Sequence, residues 1–179
     1  LTVRGSDKSM YGKLFERLVL GSVLTMLGFH LVSGATVRSV HDVGAFWLSD
    51  SDDTRECDAT AVIGPGKIIR FDIGFIGPGN SEISKDKLSR FSAEGELKGA
   101  KTYSRTFIVV DRLPNTSKTR DAARKINAEI VQMSMKFWTI ELAKKLKAVG
   151  WSSEMSSVPE NGIAAWLEQK LAVQSLLPL

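Results

Sequence analysis

Apolar residues recur at helical spacing near the start of the chain. Over residues 8–27, Tyr11, Leu14, Phe15, Leu18, Ser22 and Met26 repeat at the interval of one helix face. Gly28 follows Leu27 where a left-handed stop is expected. Over 36–48 the pattern turns to β-branched and aromatic residues, Val37, Val40, Val43, Phe46 and Trp47, which predict a strand. Two apolar runs, 56–63 and 67–76, flank Gly64-Pro65-Gly66 and predict a hairpin. Ser81 or Ser84 can cap a helix over about 83–97. Tyr103 to Val110 reads as an interior strand. Beyond Pro114-Asn115-Thr116, a long helix is predicted over about 118–148, ended by Gly150. On it Ile130, Met133, Phe137, Trp138, Ile140 and Leu142 form a face for the core or a dimer interface. A short helix near 162–175 carries Trp166 and Leu167 as packing anchors.

Helix, three strands, helix, strand and helix in that order predict an α/β layered domain around a mixed sheet. The hairpin supplies an antiparallel pair, and the 83–97 helix is a crossover to a parallel strand. The chain of 179 residues is 43% hydrophobic and 25% charged, enough for one domain with a sizeable core. Its net charge of +4 permits a polyanionic partner without demanding one. The single cysteine, Cys57, excludes an internal disulfide framework and fits a reducing compartment. With only His30 and His41 beside it, a zinc site is not expected. Leu14 to Val32 is the most apolar stretch. Glu16 and Arg17 inside it argue for a core helix rather than a membrane span, and no signal peptide is visible.

The hairpin also carries acids where acids are expensive, because burying a lone carboxylate costs several kcal/mol. If three residues form the loop, Ile63 pairs with Lys67 and Asp58 faces Asp72. Opposed residues in an antiparallel pair have Cβ atoms roughly 5 Å apart. Two carboxylates that close need a proton or a cation between them. Mg²⁺, which takes oxygen ligands, is the natural occupant. Strand alternation gathers Glu56, Asp58 and Thr60 on the same face as Arg70, Asp72 and Gly74. A salt-bridge cluster at the sheet end would account for the same acids.

The next element bears on that choice. With Ile83 at the origin and about 100° per residue, Lys87 falls inside the apolar arc of Phe91 and Leu88, whereas Lys85 falls outside it. A lysine among core-facing positions needs an anionic partner. Two aspartates, a lysine and a divalent ion suit hydrolysis of a phosphodiester: the metal polarises a phosphoryl oxygen and the lysine orients or deprotonates water.

Glu56-Cys57-Asp58, set before Asp72-Ile73-Gly74, resembles the PD-(D/E)XK nuclease superfamily, and more narrowly the type II restriction endonucleases. Gly12-Lys13-Leu14-Phe15-Glu16 resembles the first core helix of that superfamily with its frequent glutamate. The stretch from Asp72 through Asn80, with Glu82-Ile83-Ser84 and Asp86-Lys87, is similar to CfrBI-type restriction enzymes. The resemblance covers roughly residues 10–112 of a single 1–179 nuclease domain, with a C-terminal helical part over about 113–179.

It implies a restriction-endonuclease-like fold and a Mg²⁺-dependent enzyme that cuts double-stranded DNA at a specific short sequence. It also implies a homodimer and a cytoplasmic, prokaryotic setting. By position, Asp58 and Asp72 would bind metal with the Ile73 carbonyl, Glu16 or Glu56 would assist, and Lys87 would be the catalytic lysine, with Lys85 in reserve. Two departures stand out. Cys57 replaces the usual proline, and Gly74 stands where the motif lysine belongs. Some members supply that lysine from the following helix, where Lys87 lies.

Lys118, Arg120 and Arg124, with Lys85, are candidate contacts to DNA phosphates. Gly77-Pro78-Gly79-Asn80 reads as a turn, since no Gly-Lys-Ser/Thr completes a phosphate loop. Cys57 reads as a small buried residue on the strand face opposite Asp58. The rival functions are a structure-selective repair nuclease or junction resolvase, and a DNA-binding module with a degenerate site, which Gly74 favours.

Overall fold

The computed structural model describes residues 3–32, 42–49, 57–74, 103–113, 119–125 and 127–173. Helix α1 (Val3–Met26) opens the chain, and β1 (His30–Leu31) and β2 (Ala45–Leu48) follow it. The hairpin is β3 (Ala59–Gly64) and β4 (Lys67–Gly74), and β5 is Tyr103–Val110. The C-terminal half holds α2 (Thr119–Lys125), β6 (Ala128–Gln132), α3 (Trp138–Ala148) and α4 (Ile163–Val173), with two 3-10 turns between α3 and α4. The strands form one six-stranded sheet in the order β1-β2-β3-β4-β5-β6. β2-β3 and β3-β4 are antiparallel, and β1-β2, β4-β5 and β5-β6 are parallel. The α/β class, the mixed sheet and the parallel partner of the hairpin are as the sequence predicts.

Alternation along the strands sorts the sheet into two faces. Phe46, Ala59, Ala61, Ile69, Phe71, Ile73, Phe107 and Val109 join one buried cluster with Leu20, Val23, Leu24 and Leu27 of α1 and with Ile140 and Leu146 of α3. The reverse face carries Ile108 and Val110, packed with Leu113, Ala128 and Ala123 of α2. β4 and β5 lie inside the sheet, so Ile69, Phe71, Ile73 and Phe107 are shut off from solvent. Burial of each such side chain stabilises the fold by about 1.5–3 kcal/mol.

Three expectations are corrected. Helix α1 forms as expected and stops before Gly28 at φ +89. However, Leu14, Phe15 and Leu18 are exposed, and the packed stripe is Leu20, Val23, Leu24 and Leu27. Both faces of α1 are apolar, so spacing alone does not say which one meets the sheet. The strand expected over 36–48 is β2, Ala45–Leu48, preceded by the two-residue β1; positions 33–41 lie outside the described residues.

The largest correction is the long helix of 118–148, which is α2, β6 and α3. Asn127, at φ +56, ends the first helix in the left-handed region that asparagine tolerates. Ala128 to Gln132 then pair in parallel with Thr106 to Val110. Backbone bonding to β5 outweighs the helical spacing of Ile130, Met133 and Phe137. Ile130 packs on the reverse face, while Met133, Phe137, Trp138, Ile140 and Leu142 belong to the main core. Gly150, at φ +106, lies just beyond α3 as expected, and α4 packs Trp166 and Leu167 on the core. The expected helix over 83–97 lies outside the described residues.

Candidate active site

The hairpin turn sets the geometry. Pro65 and Gly66 form it, with Gly66 at φ +68, the proline-then-left-handed-glycine order of a type II turn. Lys67 therefore pairs with Gly64, not with Ile63 as expected from a three-residue loop. The register shifts between Val62 and Gly64, which absorbs one residue. Beyond that irregularity the pairs are Val62–Ile68, Ala61–Ile69, Thr60–Arg70 and Ala59–Phe71, as the expected register has them. One step further, the same count sets Asp58 against Asp72. The Asp58 Oδ2 accepts the backbone N–H of Ile73 at 2.8 Å, which fixes its carboxylate beside the Asp72–Ile73 peptide.

The two aspartates have different surroundings. Asp72 is 3% exposed, in a strand bonded on both sides. Its parity places it on the sheet face reverse to Phe71 and Ile73, with Arg70, whose partner is Thr60. Asp58 is half-buried at the entrance to β3. The chain ahead of β3 is held from two sides. Ser49 donates its N–H to the Asp58 carbonyl at 3.1 Å and its hydroxyl to the Cys57 carbonyl. Arg17 of α1 in turn donates to the Ser49 carbonyl at 3.3 Å. Neither was assigned to the site from the sequence; the signal available was only a charge, Arg17, inside the most apolar stretch of the chain.

Cys57 belongs to this neighbourhood, which corrects its expected placement on the opposite strand face. β3 begins at Ala59, so alternation does not extend back to 57. The thiol lies 3.2 Å from the Thr60 hydroxyl and 3.2 Å from the Ala59 carbonyl. Burial pushes it up to about 11; the Thr60 contact and Arg70 oppose the rise, and Asp72 and Asp58 add to it. It is therefore a neutral thiol near pH 7 and no nucleophile.

The remaining candidates divide by location. Glu16 falls on the sheet-facing stripe of α1, one turn before Leu20, next to Arg17. That stripe meets the sheet face of Phe71 and Ile73, whereas Asp72 has the opposite parity. Glu56, Lys85, Lys87 and Lys118 lie outside the described residues. Arg120 and Arg124 are exposed on α2 and line a cavity with the first half of β6. Asp111, not singled out from the sequence, closes β5 one residue past the Gly74–Val110 pair, at the same end of the sheet as Asp72. Its signal was an acid directly after an interior strand.

The donor set is hard. Two carboxylates and the carbonyl of Ile73 are oxygen ligands of the kind Mg²⁺ takes, and they offer nothing to a soft metal. Among the described residues, no group of three or more His, Cys, Asp or Glu side chains gathers around them. A small octahedral ion that keeps several waters fits such a sparse set.

The description "CfrBI restriction endonuclease" belongs to a family model that matches residues 1–118. The type II restriction enzyme CfrBI of Citrobacter freundii is 40% identical over 148 residues, which are 83% of this chain and 41% of that enzyme. The chain thus spans about two-fifths of the length of this relative. No solved structure matches.

Proposed function

The chain belongs to the CfrBI restriction endonuclease family, and on that premise we propose that it carries the cleavage site of a Mg²⁺-dependent endonuclease that cuts double-stranded DNA at a specific short sequence. The observation that carries this reading is the Asp58 carboxylate bonded to the N–H of Ile73 beside the buried Asp72. No apolar packing explains a carboxylate at that depth in an interior strand.

Asp58, Asp72 and the Ile73 carbonyl would hold Mg²⁺, with Glu56 assisting, or Glu16 reaching past the end of the sheet from the other face; the ion would supply polarisation of a phosphoryl oxygen and a more acidic water. The bond from Ile73 keeps the Asp58 carboxylate oriented. The bond from Ser49, steadied by Arg17, fixes the backbone that carries it. Burial of Asp72 excludes bulk water and strengthens its field at a phosphate. Lys87 is the ammonium assigned to orient or deprotonate the attacking water, with Lys85 in reserve, on the wheel argument alone.

We place the working protein as a cytoplasmic homodimer, because two-fold proteins match palindromic sites. Residues 1–179 are read as one nuclease domain. No helix is long and apolar enough to cross a membrane among the described residues.

Gly74 favours a second reading. It stands in the position of the motif lysine, at the end of β4 against Val110. A chain that has lost this ammonium without replacement would bind DNA and leave it intact.

The test is digestion of a long DNA of complex sequence with Mg²⁺, with EDTA, and with the Asp72→Ala protein. Discrete fragments with Mg²⁺ only, and none with the variant, are expected. A smear would replace sequence-specific cutting with structure-selective cutting. Intact DNA with salt-sensitive binding would establish the binding module instead. Lys87→Ala is expected to lose cleavage and keep metal binding; full activity in that variant would reassign the lysine role.

A further inference from the structure

Beside the acid pair, on the same face of the sheet, the hairpin carries a cation. Strand alternation puts Ile68, Arg70, Asp72 and Gly74 on one side of β4. Arg70 pairs with Thr60 of β3 and with Thr106 of β5, and Asp72 pairs with Ile108. Arg70 and Asp72 are therefore one same-face step apart, about 7 Å along the strand. Asp58 is the diagonal neighbour of Arg70 across the hairpin. Such neighbours stand about 7–8 Å apart, within reach of a long side chain.

An arginine at this place costs free energy unless anions accompany it. Its strand lies inside the sheet, and its side chain is half-buried. Its two row partners, Thr60 and Thr106, are buried and carry no charge. Among the described residues of β3 to β6, the acid on this face is Asp72, with Asp58 just ahead of β3. Glu129 pairs with Phe107 and belongs to the other face. The Cys57 thiol, 3.2 Å from the Thr60 hydroxyl, reports the same grouping. Burial raises its pKa most; the Thr60 contact and Arg70 lower it, and Asp72 and Asp58 raise it, so the three charges act on one sulfur atom.

The charges of this set match a phosphodiester only with Arg70 included. A divalent ion cancels the two carboxylates of Asp58 and Asp72. Arg70 then leaves the loaded site one positive charge, and a phosphodiester brings one negative charge. An ammonium at position 74 would both steer water and hold the charge that builds on the phosphate, and Gly74 does neither. Position 74 stands two residues after Asp72, and Arg70 stands two residues before it on the same face. A guanidinium stays protonated at working pH, so it takes no proton from water. It does donate paired hydrogen bonds to two oxygens of one phosphate.

We propose, resting on the nuclease reading, that Arg70 is a further catalytic residue, whose guanidinium holds the two non-bridging oxygens of the scissile phosphate in place of the ammonium absent at Gly74. In the hydrolysis, water adds its oxygen to phosphorus and gives up a proton. The ester P–O bond breaks with its electron pair on the leaving oxygen, which takes a proton from solvent. Arg70 moves no proton in these steps; it stabilises the charge that gathers on the non-bridging oxygens. The steering of water stays with Lys87.

The test compares wild-type protein with Arg70→Gln, Arg70→Lys and Asp72→Asn in Mg²⁺-dependent cleavage of DNA and, separately, in calorimetric titration with Mg²⁺ without DNA. Arg70→Gln is expected to lower kcat about a hundredfold, the usual loss for one donor to a developing charge, with KM little changed. Arg70→Lys restores the charge without the fork and is expected to recover part of that loss. Mg²⁺ is expected to bind Arg70→Gln at least as tightly as wild type, since a cation beside the ion has gone, whereas Asp72→Asn loses it. Glutamine can still bond a carboxylate, and the melting temperature checks the fold. Should Arg70→Gln not fold, Arg70→Lys carries the test: slower cleavage at wild-type Mg²⁺ affinity is expected, and wild-type kcat would overturn the paired contact. Wild-type kcat in Arg70→Gln would overturn the role of Arg70 and leave the nuclease reading standing. Cleavage lost in step with Mg²⁺ affinity would overturn it too, because Arg70 would then only hold the carboxylates in place. Wild-type protein that leaves DNA intact would overturn the nuclease reading itself, and this role with it.

Discussion

At the residue scale, Asp72 decides between chemistry and structure. A buried carboxylate kept for metal binding strains the apo fold, so Asp72→Asn is expected to abolish cleavage while the melting temperature holds or rises. If Asp72 instead serves a salt-bridge cluster with Arg70, the same change takes that partner from a half-buried guanidinium, and unfolding becomes easier by about 1–3 kcal/mol. Thermal denaturation of the purified variant in EDTA separates the two. Cys57 gives a second test. Its thiol is 8% exposed and pushed up to about 11, chiefly by burial, so it stays protonated through neutral pH. Alkylation of the native protein at pH 7 is expected to be far slower than alkylation in urea. Equal rates would mean that the thiol is open to solvent. The sign of the shift also predicts that reactivity in the native state climbs with alkaline pH, not below neutrality.

At the element scale, the junction between α2 and β6 is the point where local pattern and tertiary pairing part. Asn127 holds a left-handed conformation, at φ +56, between the last turn of α2 and the first pair of β6. A β-branched side chain there meets its own carbonyl, so Asn127→Val is expected to cost about 1–2 kcal/mol, and Asn127→Gly far less. Urea denaturation of the two variants measures the difference; equal stabilities would place the turn elsewhere. The hairpin and β5 were legible in the sequence because their cues are local: a Gly-Pro-Gly turn, alternation at period two, and a dense β-branched run. That Asp58 and Asp72 lie on facing strands was legible for the same reason, although their register holds only because a shift offsets the two-residue turn. The one-residue shift near Ile63 was not, because turn type is chosen by backbone angles that composition leaves open. β1, two residues long, is too short to show any period.

At the scale of the whole molecule, the C-terminal half closes on the N-terminal helix. Trp151 stacks on Phe29 at a centroid distance of 4.1 Å and donates its indole N–H to the Leu27 carbonyl at 2.9 Å, across 124 residues of sequence. The left-handed Gly44 passes close beneath that ring; a Cβ there would lie 3.4 Å from it. Trp151→Ala is expected to destabilise the protein by about 3 kcal/mol, through lost packing and a carbonyl left without its donor. Trp151→Phe, which keeps the stack, is expected to cost about 1 kcal/mol. A denaturant midpoint unmoved by the alanine change would show that α1 does not depend on the C-terminal half. The amino-acid sequence by itself determined α1, the hairpin and β5 as elements, the α/β class, and the acids of the hairpin. These follow from spacing, turn chemistry and the two-residue period of a strand, all of which act between near neighbours. Only the tertiary structure decided which apolar face of α1 is buried, that residues 128–132 join the sheet, that Cys57 lies among the aspartates, and that α2 and α3 enclose a charged cavity. Those outcomes depend on partners far away in the chain, and backbone bonding or burial against a distant partner outweighs the few tenths of a kcal/mol by which local propensity prefers one conformation.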